Sequence, residues 1–165
     1  MIKTYVIDTN VLIQAPYALE CFEDNHLVLP LVVLEELDGL KKAEGEKGAN
    51  ARAAVRKLEE YRHKGDLLQG VELPGGGWLR VEKNYVNVEL PPDLPDDKPD
   101  NRILKVCKGL ADDKKADQVI LVTKDIVLRL KAQILGIKAE DFETALHEMI
   151  RKTIKDHKRI IFNGN

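Results

Sequence analysis

The 165-residue chain predicts an α/β sandwich built on a mostly parallel sheet. Two observations carry that prediction. Short apolar runs rich in β-branched residues, "IKTYVI", "HLVLP" and "DQVILVT", recur far apart along the chain. Between and after them lie segments of helical periodicity. The resulting order of strand, helix, strand, helices, strand, helix is the one that helical crossovers between parallel strands require.

Ile2 to Ile7 reads as a short buried strand, and His26 to Pro30 repeats the signal. The proline that closes the second run suits the first turn of a helix, where an amide hydrogen would be unpaired anyway. That helix, "LVVLEELDGLKK", sets Val33, Leu34, Leu37 and Leu40 at helical spacing, with Gly39 weakening its last turn. "EGEKG" reads as a glycine-broken loop. "ANARAAVRKLEEYRHKG" is alanine-rich, with Ala51, Val55, Leu58 and Tyr61 or Arg62 in stripes and Gly65 placed to stop it. From Gly70 to Leu90 the pattern alternates around a triple glycine, which predicts a hairpin or flap. Four prolines in "PPDLPDDKPD", Pro91 to Asp100, make a surface loop. "NRILKVCKGLADD" carries Ile103, Leu104, Cys107 and Leu110 on one helical face. Asp117 to Thr123 is the strongest strand signal, and it feeds the helix "KDIVLRLKAQIL", which stops at Gly136. Past Phe142, "ETALHEMIRKTIKDHKRIIFNGN" reads as a helix with a frayed end. Its second half sets Arg151, Lys152, Lys155, Lys158 and Arg159 against Asp156. Residues 1–142 are thus the expected functional domain and 143–165 a basic extension or linker.

A composition of 44% hydrophobic and 33% charged residues is that of a globular domain, and excludes disordered and fibrous classes. The longest oily stretch, "LVLPLVVL", falls far short of the roughly 20 residues of a spanning helix and contains Pro30. The N-terminus lacks the apolar core of a secretion signal, so the expected location is the cytoplasm, with no membrane contact. Cys21 and Cys107 lack the paired spacing of a zinc site and read as small core hydrophobes in a reducing compartment. The net charge of −2 does not announce nucleic-acid binding, so local charge has to carry that reading.

In open parallel sheets, ligands bind outside the carboxyl ends of the strands. Asp8 follows the first strand and Asp125 the last. Glu36 stands about one and a half turns into a helix entered from the second strand, and Asp100 opens another helix. Each has an ordinary alternative: Asp8 or Asn10 as a helix cap, Glu35 and Glu36 as a solvated stripe, Asp100 as a cap, Asp125 as a first-turn acid favoured by the helix dipole. Together they predict one acidic cleft. Clustered carboxylates repel unless a cation compensates, and Mg2+ or Mn2+ takes oxygen ligands with retained waters. His26, His63, His147 and His157 are scattered, without zinc-ligand spacing. Such a site suits metal-assisted phosphodiester hydrolysis. There is no GxSxG elbow and no Walker loop. A phosphotransfer receiver would want an acidic pair at the first strand, where this chain has a single aspartate followed by "TN".

"YVIDTNVLI", "LVLPLVVLEELDGLKK", "GANARAAVRKLEEYR", "DNRILKVC" and "VILVTKDIVLRLKAQILGIKAEDF", taken in order over roughly Met1 to Phe142, resemble the PIN domain, and most closely the PIN domain that precedes an ATPase in PhoH-like proteins. The resemblance implies a three-layer α/β/α sandwich and a metal-dependent ribonuclease, with Asp8, Glu36, Asp100 and Asp125 as its catalytic, metal-binding acids. Glu36 rather than Glu35 matches, because the family's acid directly precedes a leucine, here Leu37. Asp8 and Asp100 would hold metal most directly, with Glu36 and Asp125 completing the site or working through water. Thr9, Asn10 and Thr123 would orient ligands and water. The ATPase half of PhoH-like proteins is not in this sequence, and the stretch after Phe142 matches nothing in the family.

Single-stranded RNA is the expected substrate, and phosphates call for positive charge. Arg52 and Arg56 lie four apart on one helix, Arg102 and Lys124 adjoin two of the acids, and Lys41, Lys42 and Lys47 border the glycine loop. Trp78 and Tyr85 are the aromatic candidates for base stacking or, alternatively, packing residues. The resemblance further implies self-association and a PhoH-type ATPase domain C-terminal to the chain as partners. The competing expectation is a non-catalytic RNA-binding or regulatory module on the same fold.

Overall fold

A computed structural model describes residues 3–113 and 118–163, with side chains through residue 159. In chain order the elements are β1 (Lys3–Ile7), α1 (Thr9–Gln14), a single 3-10 turn (Ala18–Glu20), β2 (His26–Pro30), α2 (Leu31–Leu40), α3 (Gly45–Arg62), β3 (Val71–Glu72), β4 (Trp78–Glu82), α4 (Pro99–Asp112), β5 (Gln118–Val122), α5 (Ile126–Ile134), β6 (Lys138–Glu140) and α6 (Phe142–Asn163). The expected strand starts at Ile2 and Asp117, and the last two residues of the expected extension, lie outside the described residues.

The six strands form one sheet in the order β3-β4-β2-β1-β5-β6, parallel except for the β3–β4 pair. With helices on both faces this is a three-layer α/β/α sandwich. β1 and β5 lie side by side at its centre, Lys3 opposite Gln118 and Ile7 opposite Val122. Both are buried over most of their length, and so are written as continuous apolar runs, not as an alternation. From β1 the chain steps one way to β2 and later crosses to β5 on the other side. That reversal opens a crevice beyond the carboxyl ends of β1 and β5, which is where the fold places its candidate site.

Pro30 ends β2 and directly caps α2, whose inner face buries Val32, Val33 and Leu37. Pro99 occupies the first turn of α4, and Ile103, Leu104, Val106, Cys107 and Leu110 face the core. Tyr5, Phe22 and Phe142 form an aromatic row, with ring centroids 4.9 and 5.9 Å apart, that joins the sheet to the start of α6. Ala145 and Met149 continue that contact into the same core. Cys21 and Cys107 are free thiols, the latter buried. Among the described residues no helix is long and apolar enough to cross a membrane.

Four local expectations change. "EGEKG" is no loop: α3 starts at Gly45 and absorbs the stretch, with Gly48 buried against the Ala43 carbonyl, where a side chain would not fit. The alternation around the triple glycine is a hairpin of β3 and β4, but strand structure ends at Glu82 and residues 83–98 run as turns and irregular chain. A helix, α1, follows β1 directly. A three-residue strand, β6, follows Gly136 and extends the sheet beside β5.

Candidate active site

Asp8 leaves the end of β1 with its backbone amide donating to the Val122 carbonyl at 3.0 Å. Its carboxylate is held at both oxygens: the Thr9 amide donates to Oδ1 at 2.7 Å and the Thr123 hydroxyl to Oδ2 at 2.6 Å. The first bond caps α1, so the capping reading of Asp8 and its place in the cleft describe the same side chain. Thr123 is fully buried at the end of β5, and its hydroxyl also accepts the Asp125 amide at 3.1 Å. Asp125 in turn caps α5, accepting from the Val127 and Leu128 amides at 2.8 and 3.4 Å. Asn10 Oδ1 accepts the Lys124 amide at 3.3 Å and ties α1 to that same turn.

From the opposite wall, Glu36 Oε1 accepts the Thr9 hydroxyl at 2.9 Å, while Glu35 points to solvent. Asp100 stands in the first turn of α4, where Oδ1 accepts the Asn101 amide at 3.0 Å. Asp8, Glu36, Asp100 and Asp125 line one cleft of about 360 Å³, together with Thr9 and Lys47. Four acids from four segments are therefore brought together at the crevice that the sheet order creates.

Burial within the cleft works against ionisation of its deepest acid. Burial, reinforced by the charges of Glu36 and Asp125, pushes the Asp8 carboxyl up to about 6, against the opposing effect of its Thr123 and Thr9 hydrogen bonds. Burial and then the Asp8 charge push the Cys107 thiol up as well, so this cysteine is an inert neighbour, not a nucleophile.

The donor set fits a hard cation. The carboxylates, the Thr9 hydroxyl and the Asn10 amide line the cleft with oxygen donors, and no histidine or thiol does. Among the described residues no three His, Cys, Asp or Glu side chains stand close enough to form a closed ligand cage. An ion taken up here would be held by one or two carboxylates and water, the mode usual for Mg2+.

Of the basic candidates, Lys47 lines this cleft, and Lys41, Lys42, Arg52, Arg56, Arg102 and Lys124 do not. The Arg52 guanidinium donates to the Lys41 carbonyl at 2.7 Å and the Ala43 carbonyl at 3.4 Å, clamping the α2–α3 connection. Arg56 lines a separate groove with Tyr17 and Lys57. Arg102 Nε donates to the Asp96 carbonyl at 3.2 Å, and Lys124 adjoins Asp125. Trp78 begins β4, at the amino end of the parallel strands and so opposite the acids, and the Tyr85 ring packs on Gly109.

Three contributors carried no sequence signal. Lys131 Nζ meets Asp100 Oδ2 at 3.0 Å and Asn101 Oδ1 at 3.1 Å. Asn101 is fully buried and anchored through its amide to the Pro95 carbonyl at 2.8 Å. Arg129 Nη1 donates to the Thr123 carbonyl at 2.9 Å and braces the turn that carries Asp125. Only the packing of α4 against α5 brings Lys131 to Asp100, 31 residues away, and spacing along the chain does not reveal it.

A family profile described as the PIN domain matches residues 5–143, and the chain belongs to this family. Protein PhoH2 of Bacillus subtilis is 44% identical over 147 residues, covering 86% of this chain and 33% of that protein. Protein PhoH2 of Mycolicibacterium smegmatis is 40% identical over 144 residues, with 86% and 32% covered. The chain thus spans about a third of the length of these curated relatives. Among solved structures, the PIN domain of T. brucei RRP44 superposes with a TM-score of 0.61 at 15% identity, covering 97% of this chain and 88% of that one. A domain of a functionally unknown protein from Methanocaldococcus jannaschii superposes at 0.53 with 23% identity, covering 84% and 90%.

Proposed function

We propose that this domain is a divalent-metal-dependent ribonuclease that hydrolyses phosphodiester bonds of single-stranded RNA, with Mg2+ or Mn2+ as cofactor. The single observation that carries the reading is the convergence of Asp8, Glu36, Asp100 and Asp125 on one cleft at the switch point of a PIN fold. Asp8 and Asp100 hold the ion, and Glu36 and Asp125 complete its surroundings directly or through water. When bound, the ion supplies an activated water and charge stabilisation for the departing oxygen. Thr123 and Thr9 fix the Asp8 carboxylate from two directions, and Thr9 also fixes Glu36, so a single residue sets the relative position of two acids. Lys47 at the cleft meets the RNA phosphates, with Lys124 and Arg102, which lie close along the chain to Asp125 and Asp100; Arg56 extends that contact from its separate groove, and Arg52, engaged with the Lys41 carbonyl, adds its charge to the same helix.

The test is cleavage of a labelled single-stranded RNA by the purified protein with added Mg2+ or Mn2+. Asp8→Asn is expected to reduce the rate by at least about 100-fold; equal cleavage by the variant would remove the assignment. A second reading, a non-catalytic RNA-binding module, is favoured by the engagement of both Asp100 oxygens with protein groups. RNA binding without cleavage across both metals selects it. We also infer that the domain works in the cytoplasm next to a PhoH-type ATPase domain, since the relatives named PhoH2 are about three times its length, and that it self-associates.

A further inference from the structure

Asp100 differs from the other acids of the cleft. Asp8, Glu36 and Asp125 take hydrogen bonds from hydroxyl and amide groups alone, whereas Asp100 already has a full cation against it. The Lys131 ammonium lies 3.0 Å from Asp100 Oδ2, with the side chain 17% exposed against 32% for its partner, so the pair is partly shielded from bulk water. It is also aimed. Asn101 Oδ1 accepts a second bond from the same ammonium at 3.1 Å, and the Asn101 side chain is fixed by donating to the Pro95 carbonyl. Lysine pays considerable side-chain entropy to be held in this way, and the buried asparagine behind it keeps the charge on the carboxylate and out of solvent.

Charge balance across the cleft gives the arrangement a meaning. The four carboxylates of the cleft have one ammonium in the lining, that of Lys47, and a second, that of Lys131, set against Asp100 from outside it, which leaves two negative charges among these six groups. One divalent ion neutralises them. A second would have to displace Lys131 from Asp100 or bind against its repulsion.

We propose that Lys131 is a built-in counter-ion that takes the place of a second divalent cation at Asp100, so that the cleft binds a single ion. This rests on the metal-dependent reading above, and it assigns a positioning role to a residue outside the acidic quartet. Lys131 sets the ion count and holds Asp100 in place while the cleft is empty.

The test is a titration of the purified chain with Mn2+, read as loss of the free-ion electron paramagnetic resonance signal, which needs no RNA and no turnover. Wild type is expected to take up one Mn2+ per chain and Lys131→Arg likewise, while Lys131→Met and Lys131→Gln take up two. Thermal unfolding of each variant confirms that it is folded. Two ions bound by the wild type, or one ion with unchanged affinity in both neutral variants, would overturn the inference and leave the nuclease reading standing. No uptake by the wild type at millimolar Mn2+ would overturn both.

Discussion

At the scale of single residues, Asp8 is held in a form that its surroundings resist. A carboxyl whose value rises from 3.8 unfolded to about 6 folded binds its proton more tightly in the native state, so stability falls as pH rises through that interval. The ionisation costs about 3 kcal/mol at neutral pH. Asp8→Asn removes that cost and gives up about 1 kcal/mol through one mismatched hydrogen bond with Thr123 or Thr9. The variant is therefore expected to be more stable than wild type by about 1–2 kcal/mol at pH 7. Denaturant unfolding across pH 4–7 should show the advantage shrinking as pH falls below about 6. Millimolar Mn2+ should raise the melting temperature of wild type and leave Asp8→Asn nearly unmoved, because the ion takes over the compensation that protonation provides. Asp8, Asp100 and Asp125 were legible in the sequence because each sits at a strand end or helix start, and Glu36 because it lies in the helix entered directly from β2. Lys131 was not, since its partner lies 31 residues away in another helix. Arg52 was visible as charge, but the carbonyls it serves were not.

At the scale of elements, two glycines in helices separate propensity from packing. Replacing an interior helical glycine by alanine is worth roughly 0.5–1 kcal/mol in favourable propensity. Gly39 of α2 has open space where a side chain would go, so Gly39→Ala is expected to stabilise by about that amount. Gly109 of α4 lies against the Tyr85 ring, and the same change there is expected to destabilise by about 1–3 kcal/mol. Opposite shifts in the denaturation midpoint check both. The apolar runs of β1, β2 and β5 announced the sheet, as buried parallel strands do. β6 did not, because "KAE" has no apolar pattern and becomes a strand only by pairing with Ile120 to Val122. The short α1 was legible only through the capping alternative at Asp8 or Asn10, because the polar residues that open it also build the cleft.

For the whole molecule, the core does not end where the resemblance ends. Phe142, Ala145 and Met149 are buried, and the ring of Phe142 packs on Phe22. Ending the chain after Phe142 is expected to cost about 2–4 kcal/mol through the lost Met149 side chain and the first turns of α6. Ending it after Ile150 should cost far less, since the described side chains beyond that point are exposed. Comparing the two melting temperatures locates the boundary of the folding unit.

The hydroxyl that Thr123 offers Asp8 spans 115 residues of chain, and the central strands that bring the two together are the most distant neighbours in the sheet. Contacts of this separation close large loops and form slowly. During synthesis Asp8 must therefore wait for nearly the entire domain to emerge before its carboxylate gains the Thr123 hydroxyl beside its local Thr9 partner. Assembly of the acidic centre and completion of the fold are one event, so no partly made chain carries the finished cleft.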